Sequence, residues 1–187
     1  RYLCIVMPFA VLIIVLREEV VRLLYMRGEF TRTDVLMTAP VLGYLMLGAV
    51  AFASQTVVNR GFYAMQNTLL PAAYGTLAVV VSIPLYYWGL NGLGLKGVGL
   101  AVSISALLQV AIIYAIWNRR SGNTGSGDVY RFFLKMVLLS IPLAGLLFAL
   151  RRWIISAVDP HSLYGALVTA TVVGSAFLLL LLILGYG

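Results

Sequence analysis

Charge is missing from this chain in long blocks: no Asp, Glu, Lys or Arg lies between Asp34 and Arg60, between Arg60 and Lys96, between Lys96 and Arg119, or after Asp159. A helix needs roughly 20 apolar residues to cross the hydrocarbon core of a bilayer, and each of these gaps is long enough to supply them. An ionised side chain at bilayer depth is costly, so blocks that avoid one predict membrane spans. Composition agrees: 62% of the 187 residues are hydrophobic, 10% are charged and mean hydropathy is +1.01, whereas soluble domains carry about 25% charge. Lipid is the solvent this sequence is written for. The expected fold is all-α, a polytopic bundle of about six transmembrane helices plus one short interfacial helix.

The net charge of +7 would point to nucleic acid in a soluble chain. Here the basic residues flank spans, where Lys and Arg meet lipid headgroups and set topology, so nucleic acid is excluded as a partner and membrane lipid takes its place. Cys4 stands alone in an apolar stretch, which rules out a disulfide framework or a cysteine metal site and leaves packing. The chain opens at Arg1 without an initiator Met and stops at Gly187 straight after a Leu run, which reads as a piece of a larger protein cut at both ends. The N-terminal stretch has no small-residue cleavage site and runs into charged residues, unlike a signal peptide.

The first apolar segment, Tyr2 to Leu16, is slightly short for a span. Arg17 to Gly28 interleaves Arg17, Glu18, Glu19, Arg22 and Arg27 with Val20, Val21, Leu23 and Leu24, the pattern of a short helix lying along the membrane surface and ended by Gly28. Thr31 and Asp34 have capping-box spacing ahead of a second segment over Val35–Val58. The third covers Leu70–Leu90 with a kink expected at Pro84. A tight return follows over Gly89–Gly94, then the fourth segment over Leu95–Trp117. Residues 118–129, with Arg119-Arg120 and a Ser/Gly-rich stretch, read as a flexible linker that divides 1–117 from a final pair at 130–187. That pair comprises Tyr130–Leu150 and a segment capped by Asp159-Pro160. Trp88, Trp117 and Trp153 fall near segment ends, as interfacial belts require. Charge counting does not orient the chain, because Glu18, Glu19, Glu29 and Asp34 match the arginines beside them.

Gly92, Gly94 and Gly97 formally match G-x-G-x-x-G, but no strand precedes them, so an interhelical turn is the reading. Gly97, Ala101 and Ser105 are small residues four apart, suited to close helix packing in lipid. On the second segment Tyr44, Gly48, Ala51, Gln55 and Asn59 share one helical face. Polar groups in lipid turn toward other helices or a wet cavity, so this face is either interhelical glue or the lining of a polar substrate's path. Arg60 lies one step beyond, placed to meet an anionic headgroup of a substrate or of ordinary lipid, and Gln109 on the fourth segment carries the same two readings. His161 reads as a loop residue. No acid, base, nucleophile or metal-ligand set lies within the spans, so the sequence predicts neither catalysis nor a cofactor.

The stretch Leu23-Leu24-Tyr25-Met26-Arg27-Gly28-Glu29-Phe30-Thr31, followed by Asp34, Thr38-Ala39, Leu42, Tyr44 and Gly48, is the first of two ordered motifs. The second is Asn59-Arg60-Gly61-Phe62-Tyr63-Ala64-Met65-Gln66-Asn67-Thr68 with Pro71. Together they resemble the MurJ (MviN) family of lipid II flippases, in which an R-G-x-F-T/D element and an R-x-F-Y-A-x-Q-D-T-x-T-P element recur at this separation. The residues that carry the likeness are Arg27, Gly28, Phe30 and Thr31, then Arg60, Phe62, Tyr63, Ala64, Gln66, Thr68 and Pro71. The chain departs from the pattern at Asn67, where the family has Asp, and at Leu70, where it has Thr.

The resemblance implies spans nine to fourteen of a fourteen-span inner-membrane transporter. Its implied substrate is undecaprenyl-diphosphate-linked peptidoglycan precursor, moved to the outer leaflet by alternating access without covalent chemistry. It also implies that Arg17–Asp34 faces the periplasm, that Arg60 and Arg119-Arg120 face the cytoplasm, and that the final helix pair lines a groove for the lipid tail. Leu178–Leu182 and the small stripe Ala166, Ala170 and Gly174 would serve that pair as its tail face and protein face. The family's cavity arginines lie mainly upstream, so these residues alone would not flip lipid. Two rivals remain: an exporter of O-antigen or another polyprenyl-linked glycan from the same superfamily, and a membrane-bound glycosyl- or acyltransferase.

Overall fold

The computed structural model describes residues 2–26, 28–66, 68–121, 126–157 and 162–185. These form seven helices: α1 (Tyr2–Val15), α2 (Arg17–Tyr25), α3 (Arg32–Ala64), α4 (Leu69–Leu93), α5 (Leu95–Ser121), α6 (Ser126–Ala157) and α7 (Leu163–Gly185). Five of them, α3 to α7, are long and apolar enough to cross a membrane, while α1 is a shorter apolar helix. The all-helical membrane architecture expected from the charge gaps is therefore the one found.

The boundaries differ from expectation in an instructive direction: the helices are longer. α3 does not stop near Val58 but carries Asn59 and Arg60 inside it and runs to Ala64. α4 and α5 meet at a single residue, Gly94 (φ 63°), so the return expected over Gly89–Gly94 shrinks to its last member. Gly89 instead sits inside α4, where its missing Cβ lets α5 approach. α6 takes in Arg151, Arg152 and Trp153 as helical residues. The linker expected over 118–129 is helical at both ends, with only 122–125 between α5 and α6, outside the described residues. Asp159, Pro160 and His161 also lie outside them. The cap of α7 is Ser162, whose Oγ accepts the Gly165 N–H at 2.9 Å, a third-residue bond typical of helix starts.

Several hydroxyl side chains inside these helices are satisfied locally, as a medium without water favours. Ser54, Thr56, Thr76, Ser105 and Ser140 each donate to the carbonyl four residues back. Ser82 reaches both the Ala78 and Val79 carbonyls, at 2.7 and 2.9 Å, and α4 continues unbroken through Pro84.

Packing divides the helices into two groups. α5 lies between α3 and α4, while α6 and α7 pack on each other; α1 touches both α3 and α6, and α2 touches both α3 and α7. The larger apolar cluster joins Val15 and Leu16 to Leu147 and Ile154 of α6 and to Val173 and Phe177 of α7. The buried face of α7 is thus Ala166, Thr169, Val173 and Phe177. It is not the small stripe Ala166, Ala170 and Gly174: a Cβ on Gly174 would meet nothing within 4 Å. Large side chains won that contact because they fill the space beside α1.

α2 is the short charged helix expected, and one of its faces packs into the bundle. Glu19 and Arg22 are buried at 3% and 5% exposure, and Val21 packs with Val35 and Ala39 of α3. Of its charged residues, Glu18 and Glu19 meet a partner from α6, described next.

Candidate functional site

The face of α3 picked out in the sequence divides along its length. At its start, α5 presses on it: the Ser103 hydroxyl donates to the Tyr44 carbonyl. A Cβ added to Gly48 would fall 2.8 Å from Ser103 Oγ, and one on Gly99 would lie 3.1 Å from the Val41 carbonyl. Gly48 and Ala51 are buried. The same device joins α5 to α4, where a Cβ on Gly89 would sit 2.6 Å from the Gly97 carbonyl. Gly97 and Ala101 therefore do pack closely, as their spacing predicts, because backbones in contact supply the dispersion energy that lipid does not.

Toward the other end of α3 the packing loosens in polar terms. Gln55 and Asn59 are partly buried and Arg60 is exposed. Asn59 Oδ1, Tyr114 Oη and Trp117 Nε1 are buried atoms without hydrogen-bond partners. Trp117 is not the outward belt residue expected. It turns against α3, where a Cβ on Gly61 would lie 2.6 Å from its Nε1, and it stacks on Tyr114 with ring centroids 6.1 Å apart. Tyr114 also meets Tyr130 of α6 edge-on at 5.9 Å. Gln109 is placed elsewhere, on the α4 side of α5, with its Nε2 3.9 Å from the position of a Gly75 Cβ. Of the five candidate pathway residues, Tyr44, Gln55, Asn59 and Arg60 share α3, and Gln109 stands apart.

The two sequence motifs fall on the connections at either end of α3. Gly28 (φ 64°) turns the chain after α2, a conformation glycine adopts without steric cost. Phe30 packs on the Val21–Val35–Ala39 cluster. Asp34 closes the start of α3 by accepting both the Thr31 N–H at 2.8 Å and the Thr31 hydroxyl at 2.7 Å. Arg27 and Asn67 lie outside the described residues. At the far end Phe62 is fully buried and anchors the turn, while Tyr63 and Ala64 are exposed. Gln66 takes a positive φ of 54°, uncommon away from glycine. Thr68 precedes α4, and Pro71 is buried in its first turn, where a missing N–H costs nothing.

Sequence reasoning missed one cluster altogether. Arg151 of α6 donates from Nε to Glu19 Oε1 at 2.9 Å and from Nη2 to Glu18 Oε2 at 3.0 Å. The pair to Glu19 is the drier, with side chains 14% and 4% exposed. Partners 132 residues apart leave no local signal. The one hint was an adjacent acidic pair at the end of an apolar helix. Among the described residues no group of His, Cys, Asp and Glu is arranged to hold a metal.

A sequence model of a family described as Lipid II flippase MurJ matches residues 2–177. A probable lipid II flippase MurJ of Buchnera aphidicola is 26% identical over 165 residues, 88% of this chain and 32% of that protein. The corresponding protein of Bdellovibrio bacteriovorus is 26% identical over 151 residues, 78% of the chain and 27% of its own length. That of Vibrio cholerae is 34% identical over 102 residues, 54% of the chain and 19% of its own. The chain spans about a third or less of the length of these curated relatives.

Proposed function

This chain belongs to the lipid II flippase MurJ family, and from that membership we propose that it forms part of a transporter carrying lipid-linked peptidoglycan precursor across the bacterial inner membrane. The observation that carries the reading, beyond the family match, is the polar face of α3 with its buried unpartnered Asn59 Oδ1 beside Gln55. An oxygen buried without a partner costs free energy unless water or a ligand's polar group completes it. A diphosphate sugar headgroup needs such a hydrated lane, because it cannot cross hydrocarbon unaided. Its polyprenyl tail needs only an apolar surface, and the exposed Leu178, Leu179 and Leu182 of α7 supply one.

The division of labour follows. α3 and α5, locked by Gly48, Gly99 and Ser103, form a rigid wall. Gln55, Asn59 and Arg60 stand toward the end of that wall where polar groups are left open. Alternating access moves the helix groups as bodies and leaves bonds intact, so the protein acts as a transporter and no residue here is assigned a catalytic role. Gln109 contributes from the α4–α5 seam and Tyr44 through its backbone.

The test is export of precursor in cells whose own flippase is depleted and replaced by the intact protein. Appearance of precursor in the outer leaflet is expected. The Gln55→Leu variant should reach the membrane in normal amount and export little. Unchanged export by that variant would assign the α3 face to helix packing, and absence of export by the unsubstituted protein would remove the transport reading.

A further inference from the structure

The polar stretch of α3 is bounded at both ends by α5. At its start Gly48 lies under Ser103, and at its far end Gly61 lies under Trp117, where a Cβ would fall 2.6 Å from the indole Nε1. The two contacts advance in the same sense along both helices, so α3 and α5 run parallel and Tyr114 stands about level with Asn59. Gln55 therefore sits between a glycine seam and an aromatic pair, Tyr114 stacked on Trp117. Tyr130 of α6 meets Tyr114 edge-on at 5.9 Å, although α6 packs mainly on α1 and α7.

The two closures differ in what they leave unmade. Across the first, the Ser103 hydroxyl bonds to the Tyr44 carbonyl. At the second, Asn59 Oδ1, Tyr114 Oη and Trp117 Nε1 are all buried and all without a partner. Polar atoms shut away from water in this manner carry their desolvation cost uncompensated. A seam that is satisfied at one end and frustrated at the other parts most easily at the frustrated end. We propose that Tyr114 and Trp117 form a gate over the Gln55–Asn59 lane, shut in this structure. It opens when the end of α5 swings from α3 about the Gly48–Ser103 contact, so that water or the hydroxyls of a sugar headgroup complete the three orphaned atoms. The gate presupposes that this lane is the path of a polar headgroup, the function proposed for it. Shutting gains ring contacts and leaves hydrogen bonds unmade; opening reverses the exchange, and opposed contributions of this kind keep two states close in free energy. The Tyr114–Tyr130 contact joins the gate to α6.

Cysteine labelling of the intact protein in membranes tests the gate. With Gln55→Cys and Cys4→Ser as the parent, the rate of reaction with a membrane-impermeant maleimide follows the open fraction. Tyr114→Phe keeps both ring contacts and deletes one orphaned oxygen. It favours the shut state and should slow labelling about fivefold or more, the lower end of what such an atom costs. Gly61→Ala does the opposite: its Cβ pushes the indole away and should speed labelling. A purely structural role would move the unfolding midpoint in detergent, upward for Tyr114→Phe, and leave both rates at the parent's value; that result overturns the gate. So does a change of the same sign in both variants. If Gly61→Ala does not accumulate, Tyr130→Ala replaces it as the opening variant, since Tyr130 is exposed and its loss removes only the edge contact. A parent that is not labelled from either side removes the hydrated lane itself, and the gate with it, whereas labelling that neither variant changes removes the gate alone.

Discussion

The α3–α5 layer and the α1–α2–α6–α7 assembly solve the same problem in opposite ways. Helices in lipid gain nothing by hiding apolar surface from one another, since the tails outside are as apolar as the partner. The first group removes side chains: Gly48, Gly89, Gly97 and Gly99 bring backbones together, and Ser103 bonds across the seam. The second group keeps large side chains, with Leu147, Val173 and Phe177 around Val15 and Leu16, and adds an ionic tie from Arg151 to Glu18 and Glu19. Close backbone contact makes a wall that cannot slide without clash. Bulky packing with a polar tie makes a joint whose strength depends on one arginine. On the proposed transport reading, helix groups that rock against each other need both.

The largest effect should come from the tie. Arg151→Met leaves Glu19 buried without its counter-ion, which for a dry pair costs about 3–5 kcal/mol, and the loss should appear as a lowered unfolding midpoint in detergent titration. Adding Glu18→Gln and Glu19→Gln to that variant should recover most of it, because the uncompensated charge is then gone. Recovery failing would mean that Arg151 acts through its packing.

Next in size is the wall. A Cβ at Gly97 collides with the backbone carbonyl of Gly89, so even Gly97→Ala should cost about 1–3 kcal/mol as an overpacked contact, read from the same titration. Gly174→Ala, in the bulky group, is the matched control and the smaller effect of the two. Its Cβ meets nothing within 4 Å, so helix propensity alone should stabilise the protein by about 0.5–1 kcal/mol. A destabilised Gly174→Ala with a tolerated Gly97→Ala would invert the comparison. Between them in stability stands Gln55→Leu, which should leave the unfolding midpoint unchanged while suppressing export.

What could be read from the sequence follows the same divide. The glycine wall was visible, because Gly97, Ala101 and Ser105 repeat at helical spacing and Tyr44, Gly48 and Ala51 fall on one face. The capping of α3 was visible in Thr31 and Asp34. Helix lengths were underestimated because charged and aromatic residues such as Arg60, Arg151 and Trp153 were taken as stops, whereas Gly61 and Arg151 remain helical by packing on Trp117 and pairing with α2. The role of Glu18 and Glu19 was hidden, since their partner is far away in the chain and their neighbours spell a surface helix. The α7 face was misread for a similar reason: small residues mark close contact only where a neighbouring helix comes close.

Aqueous accessibility along α3 tests the central claim, that one face of this helix is sealed by α5 at its start and wet toward its end. Single cysteines would replace Ala51, Phe52, Gln55 and Asn59 in the intact protein with Cys4→Ser, and be labelled with a membrane-impermeant maleimide from each side. Labelling at 55 and 59, with none at the buried 51 or the exposed apolar 52, is the expected result. No labelling at 55 and 59 from either side, or labelling at 51 equal to theirs, would contradict it.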